Sequence, residues 1–466
     1  MNKFLKSITS ILVVLLTLLV SSNADAEVRE NYYTILLNKQ ESLESVLKDI
    51  ELNKGELIYS VPEIGLLQIK ATDQQINKIS KNALIDTFNK SIKLSSAEEN
   101  PIPIDTPISS TMWEKQWDMH KITHNGESYK LFSGTKNVTV GIIDSGLDIN
   151  HPDLKNNIVL GSKNLVPKGG YRGEESAETG AIDQLTDFMG HGTHVAGQIA
   201  ANGTVKGVAP GIGIKSYRVL GNKKGESIWV TKAIVEAAKD NVDVINISLG
   251  EYLVDGTIYS SEEKSKKESA EIKAYKKAIQ LAKRSGSVVV AATGNDSLEV
   301  TDKNKMSTFF YEQLSKVGLS NIHFKGRLLD VPAELPDVVT VSSTGPSDEI
   351  SLSANYGKGF VDITAPGGDS RLLKKYGWQE YFEKGYNEQE KILSTYPNGE
   401  HALLSGTSMA APKVSGTIAL IIDKYNMKKQ PNKAINFLYN YGVDQTKENK
   451  NLYGNGMLDV YNAVRK

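Results

Sequence analysis

Residues Gly406-Thr407-Ser408-Met409-Ala410-Ala411-Pro412 decide how the rest of the chain is interpreted. A turn of small residues delivers Ser408 into the apolar run Met409–Ile422, which has the pattern of a helix. A helix N-terminus presents unpaired N–H groups and a dipole that stabilise negative charge. Pro412 suits the first turn of such a helix, where its missing N–H is not needed. Because a serine alone is a poor nucleophile, the chain must also supply a base and a group that orients the base.

Four nearly continuous runs of Val, Ile and Ala predict buried parallel strands. They are Val138–Asp144, Lys215–Leu220, Val242–Leu249 and Ser287–Thr293. Segments long enough for crossover helices lie between them, at Gly192–Asn202, Ser227–Asp240 and Ser269–Lys283. This alternation predicts an α/β fold, a parallel sheet with helices on both faces. Sites in such sheets form at the carboxyl ends of the strands.

One acidic and one basic side chain, Asp144 and His191, stand at such positions. Asp144 ends the first strand, in Val-Gly-Ile-Ile-Asp-Ser-Gly, and taken alone it would be a turn-capping residue. His191 opens an Ala/Val-rich helix in Asp-Phe-Met-Gly-His-Gly-Thr-His, and taken alone it would be a packed residue. His191 and His194 are spaced like metal ligands, but no third ligand stands at a suitable spacing, so a metal is disfavoured.

Asp144, His191 and Ser408 occur in the order Asp–His–Ser, and their three motifs resemble those of the subtilisin-like serine proteases, the subtilases. The resemblance covers residues 113–466 and implies a subtilisin-like catalytic domain there. It implies that Asp144 orients the imidazole, that His191 is general base and then general acid, and that Ser408 is the nucleophile. His194 matches a second histidine of the family, which is structural.

Further motifs match the family's substrate site. Asn295, in Ala-Ala-Thr-Gly-Asn-Asp, matches the asparagine of the oxyanion hole. Ser248, Leu249 and Gly250 resemble the segment along which an extended substrate adds as a strand. Asp296 stands at the family's position near the base of the S1 pocket, where an acid favours Arg or Lys at P1, the residue before the scissile bond. The alternative for Asp296 is a solvated loop carboxylate.

The N-terminal residues predict export. Lys3 and Lys6 precede the apolar run Ile8–Val20, and Ala24-Asp25-Ala26 offers a cleavage site, so residues 1–26 are predicted to be a signal peptide. The apolar run is shorter than the ~20 residues that span a bilayer. We therefore expect a secreted, extracellular protein without a membrane anchor in its mature form.

Length and composition narrow the classes of function. A chain of 466 residues suggests two or three segments. The formal net charge of -1 gives no reason to expect a nucleic-acid partner. The absence of cysteine excludes disulfides and thiolate metal sites.

Residues 27–95 predict a small separate α+β unit. Its strands are expected at Tyr32–Leu37, Leu57–Val61 and Gly65–Ala71, with a helix at Glu41–Ile50 and a second helix capped by Asp73. This β-α-β-β-α-β pattern is similar to the propeptide of subtilases, which assists folding and inhibits the enzyme intramolecularly. The proline-bearing residues 96–112 predict a linker that contains the processing site.

The resemblance also implies a possible calcium site, although no motif requires a cofactor. Asp153 matches one calcium ligand of secreted subtilases and Gln116 is a candidate for another, but the loop 201–206 is shorter than in many members. Three insertions occur relative to the family, at 251–285, 298–330 and 368–391, and each follows a segment near the cleft. In the first insertion, the charge run Glu262–Lys277 predicts a helix face that is exposed to solvent.

The sequence therefore predicts a serine endopeptidase that is made as a preproprotein. Its size, export signal and cleft-side insertions resemble those of the peptidases that remove leaders from lantibiotic precursors, so a peptide substrate of that kind is expected, with Arg preferred at P1. One alternative is a general secreted scavenging protease, which shares the main motifs. An alternative of another class is a catalytically inactive subtilase that serves as a binding module.

Overall fold

The computed structural model describes residues 30–95, 100–104, 111–222, 224–259, 269–316 and 322–466. The signal peptide predicted at 1–26 and parts of the predicted linker (96–99 and 105–110) lie outside these residues. No helix in the described ranges is long and apolar enough to cross a membrane.

The strands are β1 (Glu30–Leu37), β2 (Glu56–Val61), β3 (Leu66–Thr72), β4 (Ile85–Lys90), β5 (Lys93–Ser95), β6 (Ile102–Ile104), β7 (Thr139–Asp144), β8 (Lys163–Asn164), β9 (Gly213–Arg218), β10 (Lys224–Glu226), β11 (Val244–Ile247), β12 (Glu251–Tyr259), β13 (Val288–Ala292), β14 (His323–Val331), β15 (Val338–Thr344), β16 (Ile363–Pro366), β17 (Ile392–Tyr396), β18 (Glu400–Leu404), β19 (Val443–Asp444) and β20 (Met457–Leu458).

The α-helices are α1 (Leu43–Leu52), α2 (Asp73–Ile79), α3 (Trp117–Ile122), α4 (Glu127–Leu131), α5 (His191–Ala200), α6 (Ser227–Lys239), α7 (Ala270–Arg284), α8 (Lys303–Lys316), α9 (Arg371–Glu383), α10 (Tyr386–Glu390), α11 (Thr407–Lys424), α12 (Pro431–Tyr441), α13 (Lys450–Tyr453) and α14 (Val460–Arg465).

One large sheet organises the C-terminal part of the described chain, with the strand order β19-β20-β16-β15-β13-β11-β7-β9-β8. Neighbouring strands are parallel throughout, except for the antiparallel pair β19 and β20. The four strands predicted from the sequence are β7, β9, β11 and β13, and the three predicted helices are α5, α6 and α7. The parallel α/β fold is thus confirmed, with element ends shifted by a few residues.

Alternate residues of the sheet strands bury opposite faces. In β13, Val288 and Val290 pack in the core that contains α5 and α11, whereas Val289 and Ala291 pack in the core of α6 and α7. Helix α11 is buried along nearly its full length. Because both faces are covered, apolar residues run nearly continuously along β7, β11 and β13, which is the pattern that made them recognisable in the sequence.

The N-terminal unit is an antiparallel sheet of order β2-β3-β1-β4, with α1 and α2 packed on a core of its own. The expected β-α-β-β-α-β order of its elements is present. The expected cap of α2 was wrong: Asp73 is the first helical residue, and Thr72 is the N-cap in a capping box with Gln75. The unit contacts α6 and α7, and β5 pairs antiparallel with β10.

The first two insertions form one structure. Strands β12 and β14 pair antiparallel from Glu251 opposite Val331 to Tyr259 opposite His323. The charge run that ends at Lys277 is not simply a solvated face, because Glu271 on α7 is only 1% exposed. The N-terminal unit covers this part of α7, where Lys277 Nζ donates to the Leu37 carbonyl at 3.1 Å. Residues 260–268 of the run lie outside the described ranges.

Candidate active site

The sheet register brings two predicted site residues to one edge. Strands β7 and β11 are parallel neighbours, with Ile143 opposite Ile247. The next residues, Asp144 and Ser248, therefore lie side by side at the carboxyl ends of these strands. Strand β13, on the other side of β11, ends at Ala292 and leads to Asn295 at the same edge. This is the edge at which a site is expected in a parallel α/β sheet.

Asp144 is fully buried and holds His191 through its carboxylate. The distance from Asp144 Oδ1 to His191 Nδ1 is 2.8 Å, and the Ser145 N–H donates to the same oxygen at 2.7 Å. A carboxylate bound at Nδ1 makes that nitrogen the donor, so Nε2 is the ring nitrogen that can accept a proton. His191 is the first residue of α5, which fixes the direction of its side chain.

Ser408 is the second residue of α11 and exchanges two hydrogen bonds with Ser248. Ser408 Oγ donates to the Ser248 carbonyl at 3.1 Å, and Ser248 Oγ donates to the Ser408 carbonyl at 3.0 Å. The prediction that Pro412 lies in the first turn was wrong, because α11 begins at Thr407 and Pro412 is its sixth residue. The missing N–H of Pro412 leaves the Ser408 carbonyl without its helical partner, and Ser248 Oγ takes that place.

Asn295 lies beside the start of α11. Its Oδ1 accepts hydrogen bonds from Thr407 N (2.9 Å) and Thr407 Oγ1 (3.1 Å). With Oδ1 held in this way, the amide nitrogen Nδ2 is the group available for a further contact. A Cβ at Gly406 would lie 3.1 Å from that nitrogen, so the absence of a side chain there keeps the space beside it open. The structure thus brings Asn295 next to Ser408.

Asp296 belongs to a polar network under the loop that follows β13. Its Oδ2 accepts from Tyr252 Oη at 2.7 Å, and Asn355 Nδ2 donates to the same Tyr252 oxygen at 2.7 Å. Burial raises the pKa of Asp296 to about 6, against the lowering effect of the Tyr252 hydrogen bond. Asp296 is thus a half-buried carboxylate that is hydrogen-bonded to a neighbouring side chain.

Asp330, at the end of β14, is a second buried acid in this network and was missed in the sequence. It is 2% exposed, and Asn355 Nδ2 donates to its Oδ2 at 3.0 Å. Burial raises the pKa of Asp330 well above its ordinary value. Its carboxylate oxygens lie 3.4 Å from the Cβ position at Gly250 and 3.3 Å from that at Gly294. Asp330 therefore sits between the 248–250 segment and the loop that carries Asn295 and Asp296.

The two candidate calcium ligands bind other protein groups. Asp153 accepts from the N–H groups of Thr204 and Val205 at 3.0 Å each, and His401 Nε2 lies 3.0 Å from its Oδ2. Burial alone would raise the pKa of Asp153, but these donors outweigh it and the pKa is lowered. Gln116 pairs through both amide atoms with the backbone of Lys206, at 2.9 and 2.8 Å.

In this arrangement the side-chain oxygens of Asp153 and Gln116 accept hydrogen bonds from protein donors. Within the described part of the chain, no group of three or more His, Cys, Asp or Glu side chains is placed to hold a metal. His194, the other histidine of the motif, is fully buried, and its Nε2 lies 3.1 Å from the Ile392 carbonyl and 3.2 Å from that of Ala402. Burial lowers the pKa of His194 to about 3, so it stays neutral and joins α5 to β17 and β18.

The parallel sheet, with Asp144, His191, Asn295 and Ser408 gathered at one edge, is the arrangement of a subtilase. The profile of the subtilase family matches residues 135–456, and the chain belongs to this family of serine proteases, which hydrolyse peptide bonds.

The chain is also similar to individual members of the family. The chain is 39% identical over 454 residues to the epidermin leader peptide-processing serine protease EpiP of Staphylococcus epidermidis, a match that covers 94% of this chain and 93% of that one. It is 42% identical over 345 residues to the nisin leader peptide-processing serine protease NisP of Lactococcus lactis subsp. lactis, covering 74% of this chain and 49% of that one. The crystal structure of EpiP from Staphylococcus aureus matches with a TM-score of 0.82 at 39% identity, covering 94% of this chain and 98% of that one.

Proposed function

We propose that the chain cleaves peptide bonds with Ser408 as nucleophile, His191 as general base and then general acid, and Asp144 as the group that orients the imidazole. The observation that carries this is the 2.8 Å contact between Asp144 Oδ1 and His191 Nδ1, at the sheet edge where Ser408 is bound to Ser248. His191 Nε2 takes the Ser408 proton as Oγ attacks the carbonyl carbon, and then gives it to the leaving amine.

The tetrahedral intermediate carries a negative oxygen that needs preorganised donors. Asn295 Nδ2 and the Ser408 N–H, at the N-terminus of α11, are the two we propose. The contacts of the Asn295 amide support this, because Thr407 binds its oxygen and its nitrogen lies beside Gly406, just before α11. The Ser408 N–H lies in the first turn of α11, and the first N–H groups of a helix have no acceptor within the helix.

The substrate we propose is the leader-bearing precursor of a lantibiotic, with Arg preferred at P1. The relatives named as leader peptide-processing proteases support the class of substrate. Asp296 supports the basic residue, because it is a half-buried carboxylate joined through Tyr252 and Asn355 to Asp330 beside Gly250, and a guanidinium pairs with a carboxylate through charge-assisted hydrogen bonds. We propose that the Ser248–Gly250 segment pairs with the extended substrate as an edge strand.

The N-terminal unit is, in this proposal, a propeptide that inhibits the enzyme until it is removed within residues 96–112. Strand β5 lies antiparallel to β10, with Ser95 opposite Lys224 and Leu94 2% exposed, so the unit occupies a strand edge of the catalytic domain. Strand β6 pairs with β18 just after the first part of the linker. Together with the signal predicted at 1–26, this gives a secreted preproenzyme.

The test is a comparison of the full chain with its Ser408→Ala variant on two substrates. One is a lantibiotic precursor with Arg at the leader–core junction, and the other is unfolded casein. Cleavage of the precursor at one bond after Arg, with casein largely intact, is expected for wild type only. Many cleavages in casein would indicate a scavenging protease, and no cleavage by wild type would indicate a binding module.

A further inference from the structure

Asp187 lies in the loop before α5, and its carboxylate accepts an unusually large number of hydrogen bonds for one side chain. It is 6% exposed. Its Oδ1 accepts from Met189 N (3.2 Å), Gly190 N (2.8 Å) and Ser145 Oγ (2.8 Å), and its Oδ2 accepts from Thr193 N (2.8 Å) and Thr193 Oγ1 (2.7 Å). A buried carboxylate with all of its lone pairs engaged holds its neighbours in one geometry.

These bonds fix the start of the helix that carries His191. The N-cap of α5 is Gly190, which has no side chain with which to cap the helix. Asp187 accepts the Thr193 N–H instead, and Ser145 Oγ accepts the Gly192 N–H at 2.9 Å. The negative charge at this end of α5 also complements the helix dipole. Asp187 and Ser145 together act as the missing cap.

The same side chain reaches the loop that carries Asp144. Ser145 Oγ donates to Asp187 at 2.8 Å, and Ser145 N donates to Asp144 Oδ1 at 2.7 Å. The backbone of this loop is in direct contact with that of α5, because a Cβ at Gly192 would overlap the Gly146 carbonyl. From the other side, Arg218 Nε donates to the Ser145 carbonyl at 3.2 Å. One carboxylate thus joins the loop of Asp144 to the helix of His191.

We propose that Asp187 is a positioning residue, which through Ser145 sets the relative placement of Asp144 and His191 in the reaction. The inference rests on the proposed roles of Asp144 and His191. Asp187 touches neither substrate nor imidazole in this account. Its loss acts by letting α5 and the Asp144 loop shift, and displacements of about 1 Å are enough to cost on the order of 100-fold in rate.

The experiment uses the full chain with the substitutions Asp187→Asn, Ser145→Ala and both together. The control is Asp148→Asn, which removes a nearby acid that binds Asn150 N and Gly399 N and has no contact with the triad. We expect Asp187→Asn to lower kcat by ~10- to 100-fold with KM within about twofold of wild type. The kcat of the double variant should be no lower than that of the less active single variant, because the two residues act through one connection. The control should keep kcat.

A pH–rate profile separates positioning from a general loss of structure. Removing the charge of Asp187 takes away an anion near His191, which faces Asp144 and His194, so the acid limb of kcat should move to lower pH. If Asp187→Asn fails to fold, kcat and the pH–rate profile of Ser145→Ala test the proposal instead. A kcat within twofold of wild type, or an unmoved acid limb with only a lowered Tm, overturns the proposal. Activity that survives in Ser408→Ala would instead overturn the proposed triad, whatever these variants show.

Discussion

Ser248 and Ser408 each donate a hydroxyl hydrogen bond to the other's carbonyl, at 3.0 and 3.1 Å. The exchange fastens the N-terminus of α11 to the end of β11. It exists because Pro412 cannot offer an N–H to the Ser408 carbonyl, which would otherwise be a buried acceptor without a partner. Ser248, which the sequence indicated only as part of the substrate-binding segment, therefore holds the proposed nucleophile in place.

Replacing Ser248 by alanine should weaken this attachment and slow the reaction. Loss of one buried hydrogen bond costs about 1 kcal/mol, and the freed Ser408 carbonyl adds to it. We expect a lower Tm and a kcat reduced by ~3- to 10-fold. Ser287→Ala is the matched control, because Ser287 Oγ makes the same kind of buried bond, to the Val242 carbonyl, at the opposite end of the sheet. A similar kcat loss in both variants would contradict a specific role for Ser248.

Asp296→Asn should reduce the preference for Arg at P1. The substitution removes the charge while it keeps the shape, so it isolates the electrostatic part of the interaction. We predict a fall in kcat/KM for Arg substrates of at least ~10-fold, about 1.4 kcal/mol, with little change for Leu or Phe substrates. Asp302→Asn, which removes another acid six residues further along the chain, just before α8, is the control. An Arg preference that persists in Asp296→Asn would contradict the role of Asp296 in selecting Arg.

The Asp296 carboxylate also predicts a pH-dependent specificity. Because burial raises the pKa of Asp296 to about 6, its carboxylate is mostly protonated at pH 5 and mostly ionised at pH 7. Only the ionised form attracts a guanidinium. The ratio of kcat/KM for Arg over Leu substrates should therefore rise between pH 5 and 7, and the ratio cancels the titration of the catalytic base. In Asp296→Asn the ratio should be nearly flat, and a wild-type ratio that is flat as well would refute this prediction.

Chelation should leave stability nearly unchanged, because His401 and two backbone N–H groups occupy Asp153. A ligand that binds only the native state would raise the Tm with concentration. We expect neither EDTA nor added calcium to shift the Tm by more than ~1 °C. His401→Ala should destabilise by ~1–3 kcal/mol, since it removes a donor from a buried carboxylate. His124→Ala, which breaks a half-exposed contact with Asp459, is the control and should have a smaller effect.

Local sequence patterns were enough for the elements and motifs that depend on neighbouring residues. The central strands are recognisable because both of their faces are buried, and Asp144, His191 and Asn295 each stand in a short motif at the end of a strand or the start of a helix. Ser408 was located for the same reason.

What the patterns could not show comes from residues far apart in the chain. Asp330 reaches Gly250 only because β12 and β14 pair across two insertions. The sequence of neither insertion predicts the register of that pairing. Asp153 has the form of a calcium ligand, and its contact with His401, on β18, joins residues 248 positions apart. Glu271 lies in a charge run that indicates solvent exposure, yet the N-terminal unit buries it.

Buried glutamates also mark the boundary between the N-terminal unit and the catalytic domain. Glu226, on β10, is 1% exposed and accepts a hydrogen bond from Gln68 Nε2 on β3. Glu271, on α7, accepts from Asn89 Nδ2 on β4 at 2.7 Å. Burial raises the pKa of Glu226 to about 7, although Gln68 and Arg172 act in the opposite direction, and it also raises the pKa of Glu271. Both acids would regain water if the N-terminal unit left.

Docking of the N-terminal unit should therefore weaken as the pH rises. A carboxyl whose pKa is raised in the docked state from about 4.5 to about 7 favours docking fully below pH 4.5, and this contribution is lost as the pH rises to about 7. The difference is about 3 kcal/mol at most for Glu226. In the uncleaved Ser408→Ala chain, protease sensitivity of the N-terminal unit should increase from pH 5 to pH 8. Adding Glu226→Gln, which keeps the shape and the contact with Gln68 but does not titrate, should reduce that increase, whereas Glu44→Gln on the unit's own helix α1 should not. If Glu226→Gln leaves the pH dependence as it was, Glu226 does not govern the docking, and the proton is taken up elsewhere in the interface.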